Sequence, residues 1–435
     1  MPHGFYLPLT ARITALIVIV LLGLKTEAQP PNVVVYSGLP GNYPPCEPSI
    51  AISRKSPKNL VAGAVLNYVF YSSDTGKTWR TERLRSKHGV YGDPCVVADE
   101  RGRFYYFHLS DPDGVGWSSE KILDRIVCQK SRPPLHRWTR GSSIGHNPPK
   151  DQDKEWAYRH VQRKILVVTW TEFDQYNNPD TSCRSRILVS YSKNGRKWSP
   201  THVLSRVEGN CVDNSGTAEG ATTAADATGR LHSVWSVNGN LVHATYTHND
   251  IAAKNEIPNR VLTDSAHWSF DIPGIGRANG MPVICSDLSN GPNHGNLYVV
   301  WCDQRKGADN TEVWFMRSTD GGDTWSKPVS VAADANHRHQ FFAWMCVDQI
   351  TGNIHIVYYD RRNHPDHATD VYLATSRDGG LSFTEQRISE SPFYPTTGIF
   401  FGDYNNIDAH NGIVRPVWTR YENGTLSIVT AIINE

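Results

Sequence analysis

The chain has 435 residues, with 44 basic against 43 acidic side chains and a formal net charge of +1, a balance that argues against nucleic acid or an anionic membrane as the main partner. Hydrophobic residues make up an ordinary 39%, Gly and Trp are plentiful, and no long segment has helical periodicity, which points to an all-β chain. No linker or low-complexity stretch divides it, so one domain is expected.

At the N-terminus, Arg12 precedes an apolar run of twelve residues, Ile13–Leu24, followed by Lys25-Thr26-Glu27-Ala28. The run is too short to span a bilayer and reads as a signal peptide over residues 1–28, which implies a secreted or periplasmic mature chain, 29–435. An isolated apolar segment, Val33–Tyr36, comes next. Inner strands are then expected near Pro48–Ile52, Pro94–Ala98, Lys154–Tyr158, Glu219–Ala224, Pro282–Ser286, Phe342–Val347 and Gly402–Ala409. The last unit has room for only three strands, so Val33–Tyr36 is expected to pair with Leu426–Ile433 as its fourth, closing a ring and removing an exposed edge.

Four variants of one phrase mark this repeat. Ser72-x-Asp74-x-Gly76-x-Thr78-Trp79 and Ser318-x-Asp320-x-Gly322-x-Thr324-Trp325 are complete, and Ser376-x-Asp378-x-Gly380-x-Ser382-Phe383 is a near copy. Ser192-x-Asn194-Gly195-x-x-Trp198 is shorter by one residue and lacks the acid. Their first serines are 120, 126 and 58 residues apart, or two, two and one units of about 60, the mark of a repeat architecture. Each phrase fits a hairpin in which Asp and Gly make the turn. Val300–Arg305 and Val357–Arg362 recur in register, and each unit reads as a four-stranded propeller blade. The count is seven blades, with six as the alternative.

The phrase resembles the Asp-box of sialidases and related β-propellers. In such folds the boxes lie on outer hairpins, so Asp74, Asp320 and Asp378 are expected to serve turns. Chemistry is expected where the inner strands begin, because loops from every blade converge there. That rim carries Glu47, Asp93, Asp153, Glu155, Glu219, Arg277, Arg338, His339, Asp403 and Tyr404. The bland alternative for any one of these carboxylates is a loop cap or a tie between blades.

The resemblance to sialidases implies Tyr404 as nucleophile, Glu219 as its activating partner and Asp93 as acid–base, with Arg277 and Arg338 gripping a substrate carboxylate. The chain departs from that family at its first blade, where Cys46-Glu47-Pro48 stands in place of Arg-Ile-Pro. Three functions therefore remain: a glycosidase acting on sialylated or other acidic glycans, a polysaccharide lyase using His339, Tyr404 and Arg338, and a non-catalytic propeller that binds glycans or proteins. A glycan partner and a monomeric state are expected, without nucleic acid. No zinc, EF-hand, phosphate-loop or serine-elbow motif occurs, so no cofactor is expected beyond a structural Ca²⁺, for which Asp309 and Asp366 are candidate ligands. Of the eight cysteines, Cys183 with Cys211 and Cys46 with Cys95 are candidate disulfides, whereas Cys285, Cys302 and Cys346 fit small buried positions.

Overall fold

The computed structural model describes residues 1, 3–4, 29–41, 44–132, 136–332 and 337–435. The leader expected over residues 1–28 lies almost wholly outside the described residues. The rest is a β-propeller of seven blades, each an antiparallel sheet of four strands, one of them extended by a short fifth strand on its second strand and another by a short outer piece. The innermost strands, in order, are Ser49–Ile52, Gly92–Ala98, Asp151–His160, Glu219–Ala225, Val283–Ser286, Gln340–Val347 and Asn406–His410. Each lies within a few residues of its expected place. Among the described residues no helix is long and apolar enough to cross a membrane.

The seventh blade closes as the orphan N-terminal strand predicts. Asn32–Ser37 pairs antiparallel with Thr425–Ala431, with Asn32 opposite Ala431 and Val33 opposite Thr430. The N-terminal strand therefore completes the last sheet and closes the ring.

Packing between blades explains the tryptophan content. Trp170, Trp235, Trp301 and Trp418 lie on the second strands of blades three, four, five and seven, each fully buried. Burying one indole removes roughly 200 Å² from water, on the order of 5 kcal/mol.

The Asp-boxes are turn devices on the outer hairpins. In the first, the Gly76 amide donates to Ser72 Oγ (2.8 Å), while Asp74 accepts the Thr78 amide (3.0 Å) and hydroxyl (2.6 Å). Asp320 and Asp378 repeat this pattern with Thr324 and Ser382.

Cys183 and Cys211 form a disulfide with a Cα separation of 5.7 Å. Cys46 and Cys95 do not, which corrects that pairing. The Cys95 thiol turns toward the third blade, where it accepts the Ala157 amide (3.2 Å), while Cys46 packs against Gly402 of the seventh. Facing opposite neighbours, the two sulfurs do not meet.

Candidate functional site at the channel mouth

One backbone device repeats around the channel. Where an inner strand begins, a residue takes the left-handed conformation: Glu47 (φ 53°), Asp93 (45°), Lys154 (49°), Gly220 (73°), Phe342 (52°) and Gly402 (96°), from six of the seven blades. In four of these blades the ladder register also shifts there, as in a β-bulge. Non-glycine residues rarely adopt this conformation, and such strain gathers at functional sites because a bulge re-aims a side chain. On three consecutive blades the re-aimed residue is charged. Gly402 is required for a second reason, since a Cβ there would sit 2.8 Å from Glu47 Cγ.

These side chains converge on Lys154. Its Nζ lies 2.6 Å from Asp403 Oδ2, 3.2 Å from Asp93 Oδ2 and 3.6 Å from Glu47 Oε1, and all four groups are buried. Burial alone would neutralise the ammonium, but Asp403, Asp93 and Glu47 outweigh it and hold the pKa well above the usual lysine value. Asp403 is held far below the carboxylate range, because Arg277 and Lys154 together overcome its burial. Glu47, in the place where the sialidase resemblance expects an arginine, accepts the Asp403 amide (3.1 Å), and burial raises its pKa despite Lys154.

Arg277 reaches this cluster from a hairpin, Ser269–Ile272 and Ile275–Asn279, inserted between the fourth and fifth blades. Its guanidinium grips both oxygens of Asp403 and donates to Asp213 Oδ2 (2.7 Å) and Tyr176 Oη (3.3 Å). Asp213 also accepts from Tyr176 Oη and from Trp268 Nε1, each at 2.7 Å. Arg277 is thus committed to two carboxylates of the chain itself.

Above the cluster opens a cavity of about 370 Å³ lined by Glu47, Asp93, Asp153, Lys154 and Arg277, with Tyr91, Trp117, Tyr176 and Phe400 as its aromatic wall. Trp117 is 59% exposed, stacks on Tyr176 (5.5 Å, 25°) and meets Tyr91 edge-on (5.7 Å). Asp153 accepts the Lys154 amide (2.8 Å), and burial followed by the nearby Asp93 carboxylate pushes its pKa up to about 7. A carboxyl poised there can give or take a proton at neutral pH.

Of the residues expected at the site, Asp93 and Arg277 line the cavity. Glu219 and Tyr404 do not: Glu219 is fully buried, Tyr404 is 4% exposed, and neither the carboxylate nor the hydroxyl has a hydrogen-bond partner among the described residues. The expected Tyr404–Glu219 hydrogen bond is therefore absent. Tyr404 instead packs edge-on against Trp156 (5.6 Å) and beside Trp344 (5.9 Å). Arg338 and His339 also lie off the cavity. Arg338 donates to the Pro365 carbonyl (3.4 Å), and His339 pairs with Thr311 Oγ1 (3.0 Å), its pKa pushed down to about 4 chiefly by burial. Asp366 accepts the Ala368 amide and the Tyr394 hydroxyl, and among the described residues no group of three or more His, Cys, Asp or Glu side chains is arranged to hold a metal ion.

Sequence reasoning missed Lys154, Tyr176, Asp213 and the aromatic wall. The dense run Asp151-Gln152-Asp153-Lys154-Glu155 at an inner-strand start was the available signal for the first.

No protein-family model and no curated protein matches this sequence. Solved structures do match its fold. The GH93 α-L-arabinofuranosidase of Fusarium graminearum, in complex with arabinobiose, is 12% identical with a TM-score of 0.50, over 92% of this chain and 97% of that one. A protein of unknown function from Dyadobacter fermentans is 12% identical with a TM-score of 0.51, over 93% and 97%. Trypanosoma rangeli sialidase in complex with sialic acid is 12% identical with a TM-score of 0.47, over 82% and 55%. Likeness at this identity concerns the propeller fold alone.

Proposed function

We propose that the protein is a glycoside hydrolase that takes a neutral sugar at the channel mouth, with Asp153 as general acid and Asp93 as the second carboxylate. The observation that carries this reading is the pairing of those two carboxyls with an aromatic wall in one open cavity. Glycosidases commonly work with two carboxyl groups of unequal proton affinity, one protonated to assist the leaving oxygen and one ionised as base or nucleophile. Asp153, pushed up to about 7, suits the first task, and Asp93, beside Lys154 Nζ, suits the second. The exposed face of Trp117 offers a platform for the apolar face of a sugar ring.

Charge pairing favours a neutral over an acidic substrate. A substrate carboxylate would need free guanidinium forks, whereas Arg277 is held by Asp403 and Asp213 and Arg338 lies elsewhere. Glu47, a carboxyl where the sialidase resemblance expects an arginine, offers no cation to a substrate carboxylate. The GH93 neighbour holding arabinobiose makes arabinan oligosaccharides the first substrates to test.

The experiment is a product-release assay on arabinan oligosaccharides, neutral aryl glycosides, sialosides and polyuronates. Hydrolysis of a neutral oligosaccharide, lost in Asp153→Asn while the fold is retained, is the expected result. Release of sialic acid would return the acidic-glycan reading, and an unsaturated uronate product the lyase. Binding without turnover in any assay would leave a glycan-binding propeller.

A further inference from the structure

The incomplete Asp-box of the third blade differs from the others in charge as well as length. Between Ser192 and Trp198 it carries Lys193, Arg196 and Lys197 and no acidic residue, whereas each of the other three boxes holds an Asp. Asn194 does the turn work instead, its carbonyl oxygen accepting the Arg196 (2.8 Å) and Lys197 (3.1 Å) amides. This turn abuts the outer edge of the second blade, where Ser142 Oγ donates to the Gly195 carbonyl (2.9 Å) and the Lys87 amide donates to the Arg140 carbonyl (2.9 Å). Between them lies a cavity of about 430 Å³ lined by Lys87, Thr139, Arg140, Ser142, Ser143 and Arg196, with no carboxylate in its lining. Lys87, Arg140 and Arg196 are exposed and form no ion pair with an acidic side chain among the described residues.

We propose that this cavity binds the sulfate or carboxylate groups of an acidic glycan, at the outer rim and apart from the channel mouth. Guanidinium forks and hydroxyl donors suit tetrahedral or planar oxyanions. The lining has no aromatic platform for stacking bases, which argues against single-stranded nucleic acid. That the anion is carried on a glycan rests on the reading of the protein as a glycoside hydrolase, for a polymer that offers a neutral residue to the mouth and anionic groups to the rim; that the cavity takes an oxyanion does not.

The test is calorimetric titration of the full chain with inorganic sulfate, a heparin-derived hexasaccharide, a hexagalacturonate and single-stranded DNA of equal charge. Wild-type protein should bind sulfate weakly and at least one of the acidic oligosaccharides more tightly, with affinity falling as salt rises. The hexasaccharide and the hexagalacturonate distinguish a sulfate from a carboxylate ligand. Arg140→Ser/Arg196→Ser should weaken binding about a hundredfold, roughly tenfold for each charged donor removed. Unchanged melting would show that this variant is folded, and Asp153→Asn should leave rim binding intact even if catalysis at the mouth is disproved. Equal binding by wild type and double variant, absence of binding by sulfate and both oligosaccharides, or DNA binding as tight as the glycans would each overturn the proposal.

Discussion

Lys154 Nζ sits 2.6 Å from Asp403 Oδ2, bringing the start of the third blade onto the start of the seventh across the channel. The two residues are 249 positions apart in sequence. Their contact ties together loops that must converge for a site to exist.

Replacing Lys154 with Met should therefore destabilise the whole propeller. The substitution leaves the buried carboxylates of Asp403, Asp93 and Glu47 without their shared cation, and breaking such a buried set costs about 3–5 kcal/mol. Urea unfolding at pH 7 should show the loss. It should shrink in acid, as the stranded carboxylates take up protons.

The fold was legible in the sequence because its signals are periodic. Box spacing, the recurring strand pattern and the unpartnered Val33–Tyr36 each reported blade geometry, which local chemistry specifies. The site was legible only in part. Asp93 and Arg277 were identified because each lies near an inner-strand start, but so do Glu219 and Tyr404, which are buried and do not line the cavity. Which way a side chain points depends on the left-handed residue in the bulge. At Glu47, Asp93 and Lys154 that conformation falls on residues without the glycine that would advertise it. The partners of Arg277 come from separate loops and leave no spacing to read.

Tyr404→Phe should leave turnover within about twofold of wild type and stability unchanged or slightly higher. Its hydroxyl is buried without a hydrogen-bond partner among the described residues, so removing it deletes a desolvation cost and breaks no hydrogen bond among them. Loss of all activity in this variant, with the fold intact, would restore the tyrosine nucleophile that the sialidase resemblance implies.

The Cys183–Cys211 bridge closes a separation of 28 residues beside the loop that carries Asp213. Cys183→Ser/Cys211→Ser should lose about 3–4 kcal/mol by the chain-entropy relation. Denaturant midpoints with and without reductant check this, and reductant should have no further effect on the variant. Loosening the loop should also weaken ligand binding at the mouth, because Asp213 anchors Arg277 and Tyr176.

As the proposed general acid, Asp153 should give activity an alkaline limit. As the acid it must be protonated, so kcat/KM should fall as pH rises through about 7. Asp153→Asn should abolish turnover of substrates with poor leaving groups, and a substrate whose leaving group needs no proton should recover most of the rate. A pH profile flat between 6 and 8 in the wild type would dismiss Asp153 as the acid.

Glu219 offers a stability test whose sign is set by burial. Its folded pKa is raised well above the ordinary glutamate value, by burial first and then by Asp213 and Asp153. The folded state therefore binds this proton more tightly than the unfolded chain does. The contribution of the protonated side chain is complete below the unfolded glutamate value of about 4.3, and it is lost progressively as pH rises toward the folded value. Glu219→Gln keeps the shape and removes the titration. The variant should match the wild type near pH 4 and become the more stable of the two as pH increases, by about 1.4 kcal/mol for each pH unit above the unfolded value until the folded value is reached. Urea unfolding of both proteins from pH 4 to 8 measures the difference. A gap that stays constant across that range would mean that Glu219 does not titrate between the two states, and a wild type that gains on the variant with rising pH would mean that a cation stabilises the ionised carboxylate.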